Sequence, residues 1–114
     1  MNIKDGEKLI LRGIRKAVKG GVILGRYDWG VVGEPGGKVE PDGTTVCGLG
    51  ACLLGTRVPK AEPYCMAQQV RAVLGLNVQQ QNAFLAGWDD GDRDTAWNRL
   101  ADDLANEFVG PLEL

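Results

Sequence analysis

The chain has 114 residues, 44% of them hydrophobic and 25% charged, with a formal net charge of −2. That length is usual for one domain with one core, and the apolar content lets it fold without disulfide or metal staples, which excludes a disordered chain. The absence of histidine excludes Ser-His-Asp and Cys-His catalysis and histidine metal sites, and no apolar run of about 18 residues is present to cross a membrane.

The first element is a helix over residues 7–19, where Ile10, Ile14, Ala17 and Val18 recur at helical spacing, Asp5 serves as N-cap and Gly20-Gly21 ends it. Lys8, Arg12, Arg15, Lys16 and Lys19 fill its remaining faces and form a solvated basic stripe. Residues 22–46 break the pattern. Val22-Ile23-Leu24 and Trp29-Gly30-Val31-Val32 are short β-favouring runs among Gly, Pro and Asp, and Pro41-Asp42-Gly43-Thr44 has turn chemistry, so an irregular segment or small hairpin is expected.

Residues 46–54 are apolar on every side and rich in small residues, which predicts a buried short helix that neighbours approach closely, ended by Gly55. Residues 59–63 are a connector. The next helix, over residues 63–74, turns Met66, Ala67, Val70, Val73 and Leu74 inward and stops at Gly75. Asn77 caps another helix over residues 78–88, with Val78, Phe84, Leu85 and Trp88 apolar and Gln79, Gln80 and Gln81 as a polar edge. The last helix is capped by Asp94 or Thr95, buries Trp97, Leu100, Ala101, Leu104 and Phe108, and stops at Gly110-Pro111, with an acidic outer face. The expected fold is a single mainly α domain over residues 1–114, a bundle of about five helices with a short β ribbon or extended glycine-rich segment; a compact α+β domain is the alternative.

Charge divides unevenly. Residues 1–26 hold seven Lys/Arg against two acids, whereas residues 82–114 hold two Arg against eight acids. Either the chain has two distinct binding surfaces or a basic helix lies beside an acidic one.

Chemistry-bearing patterns are few. Cys47, near the amino end of the small-residue helix, is where a helix dipole favours thiolate, but without a base Cys47 and Cys52 are expected to be buried space-filling residues. Cys47, Cys52 and Cys65 lack the paired C-x-x-C spacing of zinc sites. Three cysteines in a chain whose start, Met1-Asn2-Ile3-Lys4-Asp5-Gly6-Glu7, has no apolar signal core imply reduced thiols and a cytoplasmic protein. The run Trp88-Asp89-Asp90-Gly91-Asp92-Arg93-Asp94 could wrap a cation. Counted from Asp90 as a calcium loop, however, it puts Thr95 at the glycine position and Ala101 at the glutamate position. These acids are expected to cap and compensate helix ends. No phosphate-cradling glycine motif occurs. No cofactor or metal is expected.

The elements Cys47-Gly48-Leu49-Gly50-Ala51 and Trp88-Asp89-Asp90 resemble the C-x-x-G-A and W-[ND]-D elements of an uncharacterised family of small bacterial and phage proteins. The resemblance spans residues 7–108 and marks Cys47, Gly50, Ala51, Trp88 and Asp90 as signature positions; because that family's activity is unknown, it implies no catalytic residue. Small acidic proteins of phages and mobile elements often block a host protein, which makes a protein-binding role an expectation by analogy.

The leading expectation is therefore a non-enzymatic protein-binding module, an accessory or inhibitor protein acting on a host protein. Its contact residues would be Asp89, Asp90, Asp92, Asp94, Asp102, Asp103 and Trp29. The alternatives are a small enzyme or small-molecule-binding protein with a pocket between the Cys47 helix and the 88–94 loop, and nucleic-acid binding through Lys8, Arg12, Arg15, Lys16 and Lys19. Overall acidity and the lack of interleaved aromatics weigh against nucleic acid. No membrane partner is expected, and homo-oligomerisation is left open.

Overall fold

The computed structural model describes residues 1–31, 36–41, 43–58 and 66–112. The expected residues 59–63 connector, Val32, Asp42, residues 63–65 of the third predicted helix and Cys65 with them lie outside the described residues. In chain order the elements are α1 (Ile3–Lys19), β1 (Ile23–Leu24), β2 (Gly30–Val31), β3 (Glu40–Pro41), β4 (Thr45–Val46), α2 (Gly48–Ala51), α3 (Met66–Leu74), α4 (Val78–Asp90) and α5 (Ala96–Phe108). The described residues thus form five helices with short β pairings, the mainly α architecture that the periodicity predicts. No helix among them is long and apolar enough to cross a membrane.

α1 begins four residues earlier than the apolar period suggests, because Asn2 caps it: its side chain accepts the Asp5 amide at 2.9 Å. Asp5 is thus the residue being capped, and its acidic side chain sits in the first turn, where the helix dipole favours negative charge. Ile10, Ile14 and Ala17 turn into the core as expected, but Val18 points outward and is exposed. Gly13 brings the two helices together: a Cβ there would stand 2.5 Å from the Cys52 sulfur.

The two β-favouring runs do not pair with each other. β1 lies parallel to β4, with Ile23 opposite Thr45 and Leu24 opposite Val46, and β2 lies antiparallel to β3, with Gly30 opposite Pro41 and Val31 opposite Glu40. A parallel partner must come from farther along the chain, which a hairpin reading of neighbouring runs cannot supply. The pairings deliver residues 25–28 and the start of α2 to one place.

α3, α4 and α5 supply the rest of the core. Val70 and Leu74 of α3 are buried, whereas Val73, expected inside, and Val78, an apolar member of the next helix, are exposed at 53% each. The place of one apolar residue is taken by Gln81. It is buried because its amide donates to the Ala67 carbonyl at 2.9 Å and its oxygen accepts from Arg71 at 2.6 Å, so both halves of the group are paired across α3 and α4. α4 and α5 form a hairpin through residues 91–95, turned by Gly91 at φ 77° and restarted by a Thr95–Asn98 capping box. The buried Asn98 side chain also donates to the Ala83 carbonyl at 2.6 Å, fixing α5 on α4.

At the centre Trp88 and Phe84 are stacked with ring centroids 6.0 Å apart, and both are fully buried. The Trp88 ring lies on Gly48, where an added Cβ would meet ring carbons at 2.7 Å. Gly48→Ala is therefore expected to destabilise the protein by about 1–3 kcal/mol through overpacking. Gly43→Ala, whose Cβ would meet nothing within 4 Å, should stay within about 0.5 kcal/mol of the parent; urea denaturation of the two variants checks both.

Candidate functional site

Three pieces meet at one end of the molecule: residues 25–28, the N-terminal end of α2 at Cys47, and the C-terminal end of α4 at Trp88, Asp89 and Asp90. Residues 25–28 form a strap across the last turn of α4. The Trp88 indole Nε1 donates to the Gly25 carbonyl at 2.8 Å, and Arg26 Nε donates back to the Trp88 carbonyl at 2.9 Å. That carbonyl is one of the four that a helix end leaves unpaired, and a cation there also suits the negative end of the dipole. Arg26 Nη2, by contrast, is buried without a hydrogen-bond partner among the described residues.

Tyr27 follows in the left-handed region, at φ 66°, the one such residue other than glycine among those described. A tyrosine there costs about 1–2 kcal/mol, so the contacts around it must hold it. Asp89 Oδ1 accepts the Tyr27 amide at 2.8 Å and the Asp90 carboxylate accepts the Tyr27 hydroxyl. The ring itself is 65% exposed. On the other side Asp28 ties the strap to α2: its carbonyl accepts the Cys47 amide at 2.6 Å and its carboxylate accepts the Thr45 hydroxyl.

These contacts redistribute the roles expected of the acids. Asp89 and Asp90 hold the strap. Asp102, expected on the acidic outer face, is instead largely buried and pairs with Arg93 at 2.5 Å, while the exposed Asp103 pairs with the same guanidinium at 2.9 Å. Asp92 and Asp94 are exposed, and neither side chain makes a hydrogen bond or ion pair among the described residues. Trp29 is half-buried and packs against the core, leaving Tyr27, which the sequence reading did not single out, as the exposed aromatic of this segment. The left-handed backbone that presents it has no signature in the sequence, since tyrosine is not a residue that favours it.

Cys47 is buried and Cys52 partly buried in the packed interior. Cys47 is the N-cap of α2, with its sulfur accepting the Gly50 amide at 3.4 Å, but burial outweighs that contact and pushes its thiol up to about 11. Burial also pushes Cys52 up to about 12; its sulfur donates to the Gly48 carbonyl at 3.3 Å. Both are protonated near neutral pH. Among the described residues no three Cys, Asp or Glu side chains converge as a metal-binding group. Between α2 and the end of α4, where a pocket is the alternative expectation, the Trp88 ring lies against Gly48.

Two clefts lie elsewhere. One, of about 300 Å³, opens between the end of α1 and the turn after α2, beside Lys16 and Cys52. The other, of about 360 Å³, runs along α1 between Lys8, Leu11, Arg12 and Arg15. The basic residues Lys8, Arg12, Arg15, Lys16 and Lys19 are all exposed, and among the described residues none forms an ion pair with α5 or any other element.

Half-burial raises the carboxyl of Asp89, opposed by the Tyr27 amide that bonds it. A carboxyl raised in the folded state binds its proton more tightly there, so the stability it lends is greatest below its unfolded value of about 3.9 and is lost as pH rises through the folded value. Asp89→Asn keeps the acceptor for the Tyr27 amide without a buried charge. The variant should be at least as stable as the parent at neutral pH, with the difference shrinking as pH falls below that range. Asp89→Ala, which leaves the amide unpaired, should lose about 1 kcal/mol; thermal unfolding across pH separates the three proteins.

Comparisons of the chain with models of protein families, with curated proteins and with solved structures found no match.

Proposed function

We propose that this chain is a non-enzymatic protein-binding module whose contact surface is the exposed Tyr27 ring with the carboxylates of Asp90, Asp92 and Asp94. The observation that carries this reading is Tyr27 itself. It is held at φ 66° with its ring 65% exposed, at a conformational cost that its burial does not recover. Strain of this kind is kept where the side chain must be presented, and an amphipathic ring with two rotatable angles is a low-entropy anchor for a partner.

The surrounding charge defines the partner's chemistry. Asp92 and Asp94 are without partners among the described residues, and Asp90 accepts only the tyrosine hydroxyl there, so the surface suits a basic patch around an apolar slot. It is also our reading that the chain is akin to the small bacterial and phage proteins with C-x-x-G-A and W-[ND]-D elements, acting as an accessory or inhibitor protein on a host protein. In support, the two elements touch: Gly48 of the first lies against Trp88 of the second.

Tagged protein recovered from its native host should carry one host protein in near-equal amount. Tyr27→Asn, in which asparagine tolerates the left-handed backbone, and Asp92→Lys with Asp94→Lys should each lose that protein by at least tenfold while keeping the parent's circular dichroism. Turnover of a substrate by the purified protein, abolished by Asp90→Ala or Cys47→Ala without unfolding, would contradict the proposal.

A further inference from the structure

We infer that the Tyr27 surface also seats on α1 of a second copy of this chain. This rests on the reading of Tyr27, Asp90, Asp92 and Asp94 as a contact surface and names a partner for it whose chemistry is present in the same molecule.

α1 carries the complementary feature. At 100° per residue, Lys4, Lys8, Arg12, Arg15, Lys16 and Lys19 all fall within about 120° of the helix circumference, in a stripe running its whole length. Lys4–Lys8, Lys8–Arg12, Arg12–Lys16 and Arg15–Lys19 are like charges at i, i+4, an arrangement that costs each helix of this kind stability when no anion relieves it. Among the described residues none of these six cations forms an ion pair. The stripe is not featureless: Lys8, Arg12 and Arg15 wall a groove of about 360 Å³ whose fourth lining residue is the half-buried Leu11.

An apolar side chain beside three cations complements an aromatic ring whose hydroxyl meets the Asp90 carboxylate. With the Tyr27 ring on Leu11 and the aliphatic stems of its neighbours, Asp90, Asp92 and Asp94 come opposite Lys8, Arg12 and Arg15, and a guanidinium can lie on the ring face. Each exposed charge pair alone is worth little, so the ring supplies the anchor and the charges supply orientation and salt dependence. A nucleic-acid strand could use the same cations. It would gain no stacking partner, because no aromatic residue of α1 interrupts the stripe, and it would be repelled by the acidic end.

The test uses two half-disabled proteins. Arg12→Glu with Arg15→Glu removes the groove and keeps the Tyr27 surface; Asp92→Lys with Asp94→Lys does the reverse. In sedimentation velocity at low salt the wild-type chain should exceed monomer mass as concentration rises, with association weakened at least tenfold at about 1 M salt, where charges are screened beyond about 3 Å. Each variant alone should be monomeric, and their equimolar mixture should give a one-to-one dimer that Tyr27→Asn in the Arg12/Arg15 variant removes. All substituted positions are exposed, and unchanged circular dichroism verifies the fold. A wild-type chain that stays monomeric throughout, variants that associate alone, or a mixture without dimer would each overturn the inference. So would binding of an oligonucleotide that depends on Arg12 and Arg15 in a chain that does not self-associate. Loss of a host protein on Tyr27→Asn with no self-association would leave the proposed function standing and remove only this partner.

Discussion

The end of α4 is organised by Trp88. Its ring fills the space over Gly48, stacks on Phe84, and sends its one polar atom to the Gly25 carbonyl at 2.8 Å. A fully buried indole needs a partner for its N–H, because an unpaired donor in the core costs about 1–3 kcal/mol. That requirement draws the strap to the helix, and everything else at this end follows. Arg26 is placed to cap the Trp88 carbonyl, Tyr27 is turned into the left-handed region, and Asp28 is set against Thr45 and the amide of Cys47.

The same contact explains why small residues crowd α2. Gly48, Leu49, Gly50 and Ala51 are all buried. Side chains larger than these at the glycines would collide with Trp88 on one face and with Val46 and the Gly30 backbone on another. The thiols of Cys47 and Cys52 share this tight interior, and burial there pushes both of them up. Outward lie an exposed aromatic ring with the carboxylates of Asp92 and Asp94 at one end and a run of cations along α1, none of these charges having an ion-pair partner among the described residues.

Much of the fold was legible in the sequence. Isoleucines at helical spacing, Asn77 and Asp94 or Thr95 as caps, glycines at helix ends and the all-apolar small-residue segment each carry a local signal, and the helices lie at those signals, although α1 starts four residues earlier on Asn2 and the helix expected over 46–54 is confined to Gly48–Ala51. The failures share one cause. Whether Val73, Val78, Gln81, Asp102 or Trp29 faces inward depends on which neighbour pairs with it, and Gln81 is buried only because Arg71 and the Ala67 carbonyl satisfy it. The pairing of β1 with β4 is likewise a long-range choice. At the candidate site the acids were visible as a cluster, but their division into strap-holding Asp89 and Asp90, ion-paired Asp102 and Asp103, and unpartnered Asp92 and Asp94 is a property of contacts. Tyr27 was invisible because its distinction lies in backbone conformation alone.

Amide hydrogen exchange of the parent and of Trp88→Phe, which keeps one aromatic ring in the core while removing the indole N–H and part of the ring volume packed on Gly48, tests most directly whether Trp88 fastens the strap. If Trp88 fastens the strap, protection should fall at Tyr27 and Cys47, whose amides bond Asp89 and Asp28, while the amides of α1 and of the middle of α5 keep theirs. Unchanged protection at Tyr27 and Cys47, or a uniform loss across the whole chain, would contradict the account.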